Sequence, residues 1–117
     1  MSLRFSVLAS GSSGNAFYIE SDKARLLVDV GLSGKQMDKL FQEVHVDPNG
    51  IDCILVTHEH SDHIKGLGVL ARKYNLPIYA NNKTWLKMDG TLGKLAPEQK
   101  FEFSTDSVKT FGDIDVQ

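Results

Sequence analysis

The chain has 117 residues, 41% of them hydrophobic, with 13 Lys and Arg against 15 Asp and Glu and a single cysteine. That length and apolar content suit one domain or a large piece of one, and the formal charge of −2 excludes both a generally basic nucleic-acid binder and an acidic tail. No apolar run approaches the ~18 residues of a membrane span, the opening MSLRFSVLAS is too short and polar for a secretory signal, and Cys53 inside CILV reads as a buried reduced thiol, so a cytoplasmic protein is expected.

In chain order, Leu3, Phe5 and Val7 alternate as a strand, the small-residue loop SGSSGN follows, and AFYIE resumes strand character, which together predict a hairpin. After the turn SDKA, the continuous apolar run RLLVDV predicts a strand buried on both faces and ending in Asp29. Ser33 with Gln36 three positions on forms a capping box, and Met37, Leu40, Phe41 and Val44 mark one helical face. Pro48, Asn49 and Gly50 end that helix, and IDCILVT predicts a further buried strand.

The end of that strand delivers THEHSDH into a loop. A helix is expected next, with Ile64, Leu67, Leu70, Ala71 and Tyr74 as its apolar face and Gly66 and Gly68 allowing close packing. LPIYA then reads as a short strand and NNKTWLKM as a capped helix. GTLGKLAPEQK is loop-like, and KFEF, SVKT and DIDVQ alternate as weak strands.

Within THEHSDH, His58, His60, Asp62 and His63 concentrate imidazole and carboxylate, the ligands that borderline divalent metals prefer. An extended backbone from 58 to 60 puts His58 and His60 on the same side, where they can grip one ion. Asp62 and His63 fall where the chain turns into the helix and can hold a second. Two ions ~3.5–4 Å apart can share a bridging water, lower its pKa and clamp the oxygens of a substrate.

The string THEHSDHIKG resembles the second motif of the metallo-β-lactamase superfamily, H-x-H-x-D-H followed closely by a glycine, here Gly66. Asp29 in LLVDVG resembles the first motif, an aspartate that steadies the histidine loop without binding metal. Within the superfamily, LASGSSGNAFYIE is similar to the opening of the YycJ/WalJ-like metallohydrolases. The resemblance implies an α/β fold, the N-terminal half of an αβ/βα sandwich with a mixed sheet and flanking helices. It also implies two divalent metal ions, zinc or manganese with iron as a further option, and hydrolytic chemistry of the DNA exonuclease type.

In that superfamily the second half of the chain supplies another histidine, a bridging aspartate and a final histidine. No histidine follows His63 here, so residues 1–117 are expected to be the N-terminal portion of a single domain whose C-terminal half is absent. A sheet without its partner layer is then expected to self-associate.

Ser12, Ser13, Gly14 and Asn15 form a candidate substrate loop whose backbone N–H groups and hydroxyls could cradle a phosphate, or equally a tight hairpin connection. Residues 64 to 100 carry seven Lys and Arg against two Asp and Glu. Lys65, Arg72, Lys73, Lys83, Lys87, Lys94 and Lys100 are a track for a phosphodiester backbone or an ordinary solvated surface. Trp85 is expected in the core and His45 on the surface.

The leading expectation is a metal-dependent phosphodiesterase attacking with metal-bound hydroxide, with nucleic acid as substrate and Asp62 as both ligand and catalytic group. Two alternatives stand beside it. One is a thioester, lactone or β-lactam hydrolase on the same site. The other is an inactive half-domain that binds metal weakly and forms a homo-oligomer through its exposed sheet.

Overall fold

The structure is a computed structural model that describes residues 2–117. Six strands form one mixed sheet in sequential order: β1 (Leu3–Ala9), β2 (Ala16–Ser21), β3 (Arg25–Val28), β4 (Cys53–Leu55), β5 (Ile78–Ala80) and β6 (Lys100–Glu102). β1, β2 and β3 pair antiparallel through short connections, whereas β3, β4, β5 and β6 pair parallel. The parallel pairs need crossovers. These carry α1 (Gly34–Glu43), the consecutive α2 (Ser61–Ile64) and α3 (Leu67–Tyr74), and α4 (Asn82–Met88).

Crossovers of one hand that step in one direction along a sheet put every helix on the same face. The core confirms this. Tyr18, Leu27, Ile54 and Ile78 from one sheet face pack with Met37, Phe41, Leu67, Leu70 and Met88 from the helices, all of them fully buried. The opposite face carries Leu26, Cys53 and Leu55, covered by a second, two-stranded sheet of β7 (Lys109–Phe111) and β8 (Ile114–Val116). The Ser21 hydroxyl donates to Asp113 and ties the turn of that hairpin to the end of β2.

The hairpin covers only part of this face. On the edge strand β1, Leu3, Phe5 and Val7 remain 62%, 60% and 55% exposed, which leaves an apolar stripe in water.

The predicted elements agree with the sequence patterns, with two differences. α1 begins at the capping box of Ser33 and Gln36, and Asn81 caps α4 by accepting from Thr84 N. The single helix expected after the histidines is two, broken at Lys65 and Gly66. A Cβ on Gly66 would lie 2.1 Å from the Leu32 carbonyl oxygen, so the chain bends where its backbone touches the segment leaving β3. The segment read as loop before β6 holds 3-10 turns at Asp89–Thr91 and Pro97–Gln99.

Candidate metal centre

Parallel strands deliver their C-terminal ends to one edge of the sheet, and the loops after β3 and β4 meet there. Asp29, immediately after β3, is 1% exposed and has φ +63. Aspartate tolerates this left-handed conformation better than most residues, at a cost of ~1–3 kcal/mol that surrounding contacts must offset. The contacts are dense. The Asp29 N–H donates to Leu55 O at 2.8 Å, Oδ1 accepts from Thr57 N at 2.8 Å, and Oδ2 accepts from the Thr57 hydroxyl at 2.6 Å and from His63 Nδ1 at 2.7 Å.

The rings are oriented by these bonds. His63 gives its Nδ1 hydrogen to Asp29, which leaves Nε2 as the ring nitrogen open to an ion. Nδ1 of His58 lies 3.1 Å from Thr57 Oγ1, so its Nε2 is left free too. Thr57 carries no motif signal of its own beyond its position directly before the first histidine of THEHSDH. The His58 and His60 rings stack at 6.0 Å and 18°, as expected for alternate residues of an extended chain, and the His58 and His63 rings lie 5.0 Å apart.

Asp62 Oδ2 lies 3.7 Å from His63 Nε2. Two ligand atoms ~2.1 Å from one tetrahedral ion are separated by ~3.4 Å, so this spacing suits donors of a common ion. Imidazole and carboxylate are the right chemistry for zinc or manganese. His58 and His60 are exposed and Asp62 and His63 half-buried, so an ion could enter from solvent. Among the described residues, however, no three His, Cys, Asp or Glu side chains converge on one point. The cluster offers paired donors, not a closed shell.

The SGSSGN loop stands beside this cluster. Asn15 hydrogen-bonds Asp62 through both its backbone and its side chain, while Ser12 and Ser13 are exposed. The basic track is largely occupied: Arg72 donates to Leu92 O, and Lys73, Lys87 and Lys100 pair with Asp38, Glu59 and Asp89. Glu59 is held below the usual carboxylate range by its own backbone N–H and then by Lys87.

Trp85 packs against the main core and donates Nε1–H to Phe101 O, and His45 is exposed. A cavity of about 350 Å³ opens between the sheet and the β7–β8 hairpin. Thr57, Leu55, Tyr79 and Phe103 line it and none of the three clustered histidines does. Among the described residues, no helix is long and apolar enough to cross a membrane.

Residues 9–116 match the metallo-beta-lactamase superfamily. The chain is 60% identical over 117 residues to exodeoxyribonuclease YycJ of Bacillus anthracis, covering all of this chain and 44% of that protein. It is 55% identical over 116 residues to exodeoxyribonuclease WalJ of Streptococcus pneumoniae serotype 2, covering 97% of this chain and 43% of that one. It thus spans less than half the length of these relatives. Among solved structures, a B3 metallo-beta-lactamase with an active-site glutamic acid superposes with a TM-score of 0.72 at 20% identity, over 90% of this chain and 45% of that one. At that identity the likeness concerns the fold alone.

Proposed function

The chain belongs to the metallo-beta-lactamase superfamily, and from this we propose that it is the N-terminal, metal-binding portion of a hydrolase that cleaves phosphodiester bonds in DNA. The observation that carries the proposal is the relay from buried Asp29 through His63 Nδ1 at 2.7 Å to His63 Nε2, which faces Asp62 Oδ2 at 3.7 Å. The names of the two relatives support DNA as the substrate class. Their greater length supports the view that residues 1–117 are the first portion of a single domain whose other portion completes the ligand shells.

In this reading His58 and His60 hold one divalent ion and Asp62 and His63 a second, with zinc, manganese and iron as the ions to compare. When bound, two such ions supply Lewis acidity at the phosphoryl group and activate water. The protein's own groups do the rest. Asp29 and Thr57 engage Nδ1 of His63 and His58 and leave each Nε2 for the ion, Asp62 orients the attacking water, and the exposed Ser12 and Ser13 of the candidate substrate loop lie beside the scissile phosphate, on a loop that Gly14 and Asn15 anchor. The buried free thiol of Cys53 supports a reducing, cytoplasmic setting.

The full-length protein is expected to degrade single-stranded or nicked DNA with manganese or zinc, and Asp62→Asn to abolish the activity. Undiminished cleavage by that variant overturns the proposal. Thioester, lactone and β-lactam substrates belong in the same assay, because turnover of one of these without nuclease activity would reverse the substrate assignment.

A second reading concerns the 117 residues alone. The exposed stripe of Leu3, Phe5 and Val7 and the lack, among the described residues, of a closed ligand set favour a catalytically silent chain that pairs with its own copy through β1. Sedimentation of the purified chain is expected to give a dimer that Phe5→Lys dissociates. An active monomer excludes this reading.

A further inference from the structure

We propose that Asn15 is a positioning residue for Asp62: its carboxamide holds the carboxylate in the orientation that puts an oxygen beside His63 Nε2. This rests on, and deepens, the reading of Asp62 and His63 as ligands of one ion.

Three segments meet at this point, the β1–β2 loop, the residues after β3 and the start of α2. The Asn15 N–H donates to Asp62 O at 2.7 Å, and its carbonyl accepts from Gly31 N at 2.8 Å. A Cβ on Gly31 would lie 1.8 Å from Asp62 O and 2.5 Å from Asn15 N, so only glycine lets the three backbones close to this distance. The side chain then completes the clamp. Nδ2 gives one hydrogen to Gly11 O at 2.9 Å and shares the other between Asp62 O at 3.1 Å and Asp62 Oδ2 at 3.2 Å, and Oδ1 accepts from Gly11 N at 3.1 Å.

Both ends of the carboxamide are therefore spent inside the protein, which removes Asn15 from the groups that could grip a substrate phosphate. Among the described residues, no other side chain donates a normal hydrogen bond to the Asp62 carboxylate. One lone pair of Oδ2 takes the Asn15 hydrogen while the same oxygen faces His63 Nε2 at 3.7 Å. The Asp62 side chain is 30% exposed, so without that donor it can rotate towards water and leave His63 alone. The loop contributes to the site by fixing a ligand.

The test is NMR on the metal-free 117-residue chain, with the χ1 rotamer of Asp62 read from three-bond couplings in the wild type, Asn15→Asp and Asn15→Ala. Asn15→Asp keeps an oxygen for Gly11 N and all the backbone bonds but loses the donor to Asp62. One rotamer is expected in the wild type and averaging in both variants, with the amides of residues 29–31 still in place. A purely structural Asn15 would lower stability and leave Asp62 in a single rotamer.

A single Asp62 rotamer in both variants overturns the proposal. So does failure of both to fold, which would make Asn15 a folding residue. Where the two variants differ, Asn15→Ala decides, since it adds no charge. Zinc titration of Asp62→Ala separates this from the underlying reading: unchanged zinc binding would sink Asp62 as a ligand and leave the rotamer result standing.

Discussion

Asp29 Oδ2 accepts from His63 Nδ1 at 2.7 Å, which joins the end of β3 to the helix that follows β4. Because the same carboxylate also takes the Thr57 N–H and hydroxyl, one buried side chain holds the histidine loop at both ends, at Thr57 and at His63. Asparagine has the same shape but must turn an NH2 towards at least one of these donors. Asp29→Asn is expected to weaken zinc binding on the order of 10–100-fold. It should also lower the unfolding free energy by ~1–3 kcal/mol, through a buried donor left without an acceptor. Zinc calorimetry and urea unfolding of the same samples check both.

Gly31 and Gly90 should respond oppositely to alanine. The backbone of Asp62 occupies the place of a Gly31 Cβ, whereas nothing lies within 4 Å of a Cβ on Gly90. Gly31→Ala is expected to destabilise by about 3 kcal/mol or more, because backbone and not a flexible side chain must move. Gly90→Ala is expected to be neutral or to stabilise by ~0.4–1 kcal/mol through the unfolded state. Denaturant midpoints of the pair decide.

Asp38 ties α1 to α3 by accepting from Lys73 and from the Tyr74 hydroxyl. Burial opposes its ionisation, but those two donors outweigh burial and hold the carboxyl below its usual value of 3.8. A depressed carboxylate stabilises the fold at pH values above its unfolded pKa and loses that contribution as pH falls through the folded value. Asp38→Asn should therefore be less stable than the wild type near neutral pH, with the gap closing as pH falls below the usual carboxylate range. Because the Lys73 side chain is 54% exposed, salt should narrow the gap as well. Thermal unfolding across pH reads both trends.

Burial pushes the Cys53 thiol up to about 12, with Asp52 adding to the shift. The thiolate is the reactive form, so the native chain is expected to resist a disulfide reagent at mildly alkaline pH and to react with one equivalent once unfolded. A fast reaction of the folded protein would show that the β4 face opens.

Most of the elements, and the residue types gathered at the candidate site, are legible along the chain alone. Apolar alternation marked β1 and β2, continuous apolar runs marked β3 and β4, and the Ser33–Gln36 box marked the start of α1. The string from His58 to His63 displays the imidazole and carboxylate groups proposed as ligands. These signals are local, because strand and helix periods and ligand identity are properties of neighbours along the chain.

How the proposed ligands are held, and which polar groups remain free, depends on contacts between distant segments. Thr57 became a hub only when β3 and β4 aligned in parallel and brought Asp29 beside it. Asn15 became a clamp on Asp62, 47 residues away, only when the backbones at Gly31 closed up. Four of the seven cations in the basic stretch proved to be engaged within the fold. Such contacts depend on crossover hand, strand register and the volume of a single Cβ, which sequence spacing does not encode.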